Sequence, residues 1–340
     1  MGRAAKVQSF FESAMTDFTE QLRCINQYKI SMKNKRKFLI CGGGTIVVLL
    51  VVGEVTMRMC LGMCDAPLYE ASNQWEYMAR PNQDGYRFGN HYHYNSYQQR
   101  SEEPDSTKKI VLGLGDSVLF GGVMTDQDST SSYVFNNLCP DWQMLNISAG
   151  SWGPDNCAAY LKHYGLFGAK AMFLLVSSHD AYDNIDFQPV VGVHPSYPEK
   201  QYWCAWAEFI DRYVWPRTIG KIFASNKADD PDAAVLKSID GTDIKKGGNI
   251  FNSGFDQLKR IADDANIPLY ICIHPDKNEV TAGKYNEQGV EIIKWCQENG
   301  ISPILELNEG IKLEMYRDGI HTNEKGQRLE AKIMKKYIVI

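Results

Sequence analysis

At 340 residues, with 44% hydrophobic content and 28 glycines, the chain is long enough for one large α/β domain plus accessory segments, and its composition excludes a disordered or collagen-like protein. Its net charge of -5 is unevenly divided: residues 1–37 carry eight Lys/Arg against three acids, a net of +5, which leaves -10 for the remainder. An acidic body of that kind argues against nucleic acid as a partner, because phosphate binding calls for a basic surface.

The basic residues of "KNKRK" end at Lys37 and lead straight into "FLICGGGTIVVLLVVG", Phe38 to Gly53, which carries no charge. Continued through Glu54 to Met57, this run approaches the length needed to span a bilayer, and its basic flank follows the positive-inside pattern. A single-pass signal anchor over residues 38–57 is expected, with a cytoplasmic segment 1–37 and everything after about residue 58 on the extracytoplasmic side. A buried core helix is the alternative; a cleaved signal peptide fits less well, because no small-x-small cleavage site follows. Nine cysteines cannot all pair within one chain, and no C-x-x-C spacing occurs. Cys60 and Cys64 read as a disulfide pair or lipidation sites, Cys272 and Cys296 as core residues.

Residues 58–106 are rich in Asn, Gln, Tyr and Arg and read as an extended connector packed on the domain surface. From residue 109 strands and helices alternate, which predicts a mostly parallel five-stranded sheet covered on both faces. The strands are expected at 109–114, 142–148, 170–177, 267–273 and 301–306. Helices are expected at about 128–138, 155–166, 252–265, 285–298 and 324–337. An insertion over about 182–250, dense in aromatics and prolines, interrupts the alternation; it reads as a lid or substrate wall, or as a satellite that only packs.

The first strand runs into Gly113-Leu114-Gly115-Asp116-Ser117, with Gly121 and Gly122 close behind. That geometry aims Ser117 off the carboxyl edge of the sheet, where open α/β folds bind ligands. A serine becomes a nucleophile when a base takes its proton. Of seven histidines, His91 and His93 lie in the connector, where a third metal ligand is not evident; His163 falls mid-helix, and His194 and His274 each precede a proline. His321 stands apart, just ahead of the last helix with Asp318 three residues before it, the spacing at which an acid orients an imidazole for base work.

These residues resemble the conserved blocks of the SGNH (GDSL-type) hydrolases over roughly residues 109–337. Gly115-Asp116-Ser117 is similar to the first block, "NISAGSWGPDN" (Asn146–Asn156) to the second, and Asp318-Gly319-Ile320-His321 to the last. Asn95 and Arg100 are similar to an Asn-x4-Arg connector of membrane-anchored members. The resemblance implies a flavodoxin-like three-layer sandwich and a Ser117/His321/Asp318 triad that needs no metal or organic cofactor. It implies an oxyanion hole from the Ser117 and Gly153 N–H groups, with Gly150 as the alternative to Gly153. The third block departs: in "LLVSSHDAYDN" His179 stands where the family has an Asn that donates to the oxyanion. An imidazole N–H held by Asp180 or Asp183 can still donate, and Asn184 or Asn156 are alternative amides. The expected activity is hydrolysis of O-acyl esters, acetyl foremost, on a small molecule or a surface polysaccharide. Polysaccharide O-acetyl transfer by the same triad, and a non-catalytic carbohydrate-binding or assembly role, are the rival readings.

Overall fold

The computed structural model describes residues 35–215, 244, 246 and 248–339. The segment expected to be cytoplasmic falls almost wholly outside these residues, as does the insertion between 216 and 243. Helix α1 (Lys35–Leu61) contains a 20-residue stretch, Gly42–Leu61, that is long and apolar enough to cross a membrane and is only 6% buried.

Two β-hairpins follow where the composition suggests an extended connector: β1 (Tyr69–Ser72) with β2 (Glu76–Ala79), and β3 (Gln83–Arg87) with β4 (Asn90–Tyr94). Alternation in β4 buries Tyr92 and Tyr94 and turns His91 and His93 to the other side. There His91 Nε2 and His93 Nδ1 both reach Asp84 Oδ2, at 3.1 and 3.0 Å. Tyr77, Met78, Tyr92 and Tyr94 join the main core, so these hairpins are part of the domain's packing.

The central sheet comprises β5 (Lys109–Gly115), β6 (Trp142–Ser148), β7 (Ala171–Ser177), β8 (Leu269–His274) and β9 (Ile304–Leu305). Every pairing is parallel, and the spatial order is β6-β5-β7-β8-β9. Numbered within the sheet this is 2-1-3-4-5, the flavodoxin-like order. Because β6 and β7 flank β5, the order reverses at the β5/β7 boundary, and a ligand crevice is expected at its carboxyl end.

One face of the sheet (Leu112, Leu114, Leu145, Leu174, Ile271) packs on α4 (Pro154–Tyr164), α6 (Gly254–Ala265) and α8 (Glu287–Glu298). The other (Val111, Met144, Phe173, Leu175, Cys272) packs on α2 (Ser117–Phe120), α3 (Ser131–Leu138) and α9 (Glu324–Ile338). The result is three layers. Strand β8 starts two residues later than its composition suggests. Asn266 takes the left-handed conformation (φ 51°) that ends α6, and Pro268 brings no N–H to the ladder. The helix expected from 128 begins at Ser131, because Thr130 is extended and its hydroxyl caps the Tyr133 N–H.

The described part of the insertion runs along α1. Helix α5 (Ala205–Phe209) continues as a π-turn through Val214. Glu54 accepts the N–H groups of Ala205 and Trp206 at 2.9 and 3.2 Å, and Trp206 Nε1 donates to the Leu50 carbonyl at 2.8 Å. Short helix α7 (Lys277–Ala282) follows β8.

Candidate active site

Strand β5 ends at Gly115 because helix α2 folds back directly over it. A Cβ on Gly115 would stand 2.8 Å from the Leu175 carbonyl and 3.1 Å from Leu119 Cβ. Asp116 caps the helix, its Oδ1 accepting from the Val118 N–H at 2.8 Å. Ser117 is then the first helical residue, half-buried between fully buried neighbours, and Gly121 (φ 73°) closes the helix in the left-handed conformation. A strand–cap–helix turn of one residue leaves the Ser117 side chain at the switch point between β5 and β7.

Arg100, 1% exposed, braces this turn from beneath. Its Nη1 donates to the carbonyls of Phe120 and Gly122, both at 2.6 Å, and its Nη2 to Thr125 at 2.7 Å. Asn146, on β6, donates to the Leu119 carbonyl at 2.9 Å. Both residues fix backbone around Ser117. The planar guanidinium fork suits several carbonyls at once.

The Asp318–His321 turn lies between β9 and α9. Asp318 Oδ1 accepts the N–H groups of Ile320 and His321 at 2.9 and 2.7 Å, and its Oδ2 lies 2.8 Å from His321 Nδ1. Burial alone would raise the Asp318 carboxyl. The His321 hydrogen bond and charge, with the two backbone donors, outweigh it and hold the group well below the usual carboxylate range. An ionised carboxylate only accepts, so His321 carries its proton on Nδ1, and in the neutral ring Nε2 is a lone pair. That nitrogen is buried and has no protein partner among the described residues.

The loop that carries His321 is tied to the helix that carries Ser117. Arg317 Nη1 donates to the Gly121 carbonyl (3.1 Å) and to Thr125 Oγ1 (2.8 Å). Gln327, on α9, donates to the Val118 carbonyl (3.2 Å) and to Thr322 Oγ1 (2.8 Å). Residues 196 to 209 apart in the chain thereby share one frame.

His179 follows β7, across the switch point from Ser117, and its side chain is 42% exposed. Its Nε2 lies 3.6 Å from Asp116 Oδ2, 3.8 Å from Asp180 Oδ1 and 3.7 Å from Asp183 Oδ2. Burial, then the charge of Asp116, pushes the Asp180 carboxyl well up, and burial also raises Asp183. Asp116, His179 and Asp180 are close enough together to ligate a metal ion; His274, Glu306 and Glu330 lie equally close, but both His274 nitrogens are already hydrogen-bonded, so that cluster is not a metal site.

Gly153 caps α4, and its N–H donates to Asn156 Oδ1 at 2.8 Å. A Cβ there would meet the Asp183 carbonyl at 2.0 Å, so the second and third blocks touch through this glycine. The Gly150 carbonyl accepts from the Tyr77 hydroxyl at 2.8 Å. The alternative amides are both engaged: Asn156 Nδ2 donates to Trp75 and Glu76, and Asn184 Nδ2 to the Tyr182 and Ile250 carbonyls. Sequence reasoning passed over Arg100 as a brace and His274, which closes β8 and is fully buried. For Arg100 the available signal was a charge fixed just ahead of the first strand.

No family model matches the chain, and no curated protein does. Among solved structures it is similar to a lipolytic protein of the G-D-S-L family from Desulfitobacterium hafniense (11% identity, 67% of this chain and 99% of that one, TM-score 0.38). It is similar also to a G-D-S-L family member from Veillonella parvula (10%, 68% and 98%, TM-score 0.35). A third is a carbohydrate acetylesterase from Sinorhizobium meliloti (11%, 68% and 99%, TM-score 0.36). These are likenesses of outline, and the chemistry rests on the residues described above.

Proposed function

We propose that this chain is a membrane-tethered serine esterase of SGNH type that cleaves O-acyl esters, acetyl esters foremost. The observation that carries the reading is the Asp318–His321 pair: one imidazole nitrogen is fixed by an ionised acid, and the other is buried and open in the frame that holds Ser117. His321 Nε2 takes the Ser117 proton as Oγ attacks the acyl carbonyl. The tetrahedral oxyanion is met by the Ser117 N–H, which as the first in its helix has no intrahelical acceptor, and by the Gly153 N–H, released from or shared with Asn156. His179 is the third donor. With Nε2 turned to three carboxyl groups, Nδ1 is the nitrogen left to face the oxyanion, and it donates when it carries the ring proton. His321 then returns the proton to the leaving alcohol. Water, deprotonated by His321, attacks the acyl-enzyme; the acyl–Oγ bond breaks, His321 returns the proton to Ser117 Oγ, and the carboxylic acid leaves. In this scheme no step requires a metal or cofactor.

The apolar helix and its basic flank support a single-pass anchor with the catalytic domain on the extracytoplasmic side, where a surface polysaccharide would supply the ester. Transfer of the acyl group to a sugar hydroxyl uses the same triad and differs only in the acceptor. The test is p-nitrophenyl acetate hydrolysis by the full chain in detergent, wild type beside Ser117→Ala. Serine-dependent turnover is expected; equal turnover in the two proteins overturns the nucleophile assignment.

A further inference from the structure

The proposed base, His321, is held from both sides by a buried cluster that none of its chemistry uses. His274, at the end of β8, is 0% exposed, and its Nε2 lies 2.8 Å from the carbonyl of Ile320, the residue before His321. Its Nδ1 is hydrogen-bonded to Glu306, also 0% exposed, in the turn after β9. Glu330, on α9 and 2% exposed, accepts at 2.7 Å from the hydroxyl of Thr322, the residue after His321. Since a carbonyl can only accept, His274 keeps a proton on Nε2, and one further proton is shared between Nδ1 and Glu306.

We propose that His274, Glu306 and Glu330 are positioning residues for His321, gripping the carbonyl before it and the hydroxyl after it. The proposal rests on the base role given to His321 above. Asp318 already binds the Ile320 and His321 N–H groups, and the Arg317 N–H donates to the His321 carbonyl at 3.0 Å. With the cluster added, the backbone polar groups from 320 to 321 are all fixed. A purely structural filler at this place would be apolar, because burying three ionisable groups is expensive and replacing a buried ion pair by well-packed apolar residues is often neutral or stabilising.

The grip depends on protons. Burial lowers His274, but the charge and hydrogen bond of Glu306 prevail and bring it to about 9. Burial, then the charge of Glu306, pushes Glu330 up to about 8. Other groups face the cluster from neighbouring elements. Cys272 on β8, Tyr285 before α8 and Tyr316, whose ring is 5.5 Å from His274, are all raised by burial and stay protonated here. The carboxyl groups of Asp276, Glu279 and Glu309 also face them, and Lys336 with Tyr337 hold Glu309 low against its burial. Below about pH 8 Glu330 is therefore protonated while His274 holds its proton beside Glu306. Above it, a second buried carboxylate appears beside Glu306 and pulls on Thr322.

The experiment is histidine-selective ¹³C NMR of the full chain in detergent, with the His321 resonance assigned by its loss in His321→Asn. The wild-type resonance should show an inflection near pH 8 that is absent from Glu330→Gln, the isostere of the protonated acid. A wild type without that inflection, or a variant that keeps it, overturns the proposal. Neither result needs turnover, so failure of the esterase reading is seen separately, in the Ser117→Ala comparison. Kinetics add a second readout: kcat/KM of wild type should fall above about pH 8, and Glu330→Gln should remove that fall. Glu330→Ala should lower kcat about tenfold with KM within about twofold, and the Gln variant should recover kcat, a pattern that lost fold stability alone would not give.

Discussion

His321 sits in a loop tied to the Ser117 helix, His179 lies beside Asp116, and the two rings are surrounded in opposite ways. His321 is buried, has a single acid at one nitrogen and leaves the other open. His179 is 42% exposed and crowds one nitrogen against three carboxylates. A general base needs one fixed nitrogen and one lone pair; a ring whose acids gather at one nitrogen has the other left to act as a donor. What separates the two roles is how the partners divide between the two nitrogens. A third ring, His274, completes the series: both of its nitrogens are bound, which leaves it to hold structure.

The largest effect that would test this contrast is loss of the nucleophile or base. Ser117→Ala and His321→Ala should each lower kcat by at least about 10⁴-fold, since triad members act as a unit. Circular dichroism should show an unchanged fold for Ser117→Ala. If His179→Ala matched the His321→Ala loss, the division of roles would be wrong.

Next in size is Asp318→Asn. The amide is close to isosteric, but its Nδ2 offers a donor where His321 needs an acceptor, so the imidazole proton moves to Nε2 and the lone pair is lost from the reacting side. A fall in kcat of about 10²–10⁴-fold with KM nearly unchanged is expected. A KM effect alone would make Asp318 a substrate ligand.

His179 should matter less. Removing one oxyanion donor typically costs about 10²–10³-fold, and an exposed ring falls at the lower end, so His179→Ala should lose about 10²-fold in kcat. His179→Asn supplies a neutral amide donor at the same place and should equal or exceed wild type. Complete inactivation by Asn would show that His179 has another, indispensable role.

Most of the sheet was legible because its strands are continuous apolar runs bounded by Gly, Pro and Asn, and because the helices between them repeat apolar residues on one face. The Ser117 turn and the Asp318–His321 turn were legible for a related reason: each is made within three residues, so its spacing survives in one dimension. Hairpins β1–β4 were not. Their alternation is carried by tyrosines, histidines and asparagines, and Tyr77 or Tyr92 becomes core only through packing on the domain. The same limit hid the cluster around His274. A histidine before a proline looks like loop, and its acids come from 32 and 56 residues further on. Asn156 erred the other way. Its amide reads as available until the α4 cap and Glu76 are seen to occupy it.

The smallest effect concerns the His274 region, and its sign follows from proton counting. Glu330 is neutral in the folded chain up to about 8, whereas its ordinary value is 4.5, so between these the folded state holds the extra proton and stability falls as pH rises. His274 moves from 6.5 to about 9, so its contribution is complete below 6.5 and is lost as pH rises through 9. The two effects add, and Asp318 opposes them only in acid, where its depressed carboxyl loses its contribution as pH falls. Tm should therefore drop by at least about 5 °C between about pH 5 and pH 9. In Glu330→Gln the fall should be smaller than in wild type, because the His274 share and those of the raised Asp180 and Asp183 carboxyls remain. A Tm that rises with pH across this range would mean that the acids beneath His321 are ionised throughout, and the contrast between the open ring and the bound one would lose its electrostatic basis.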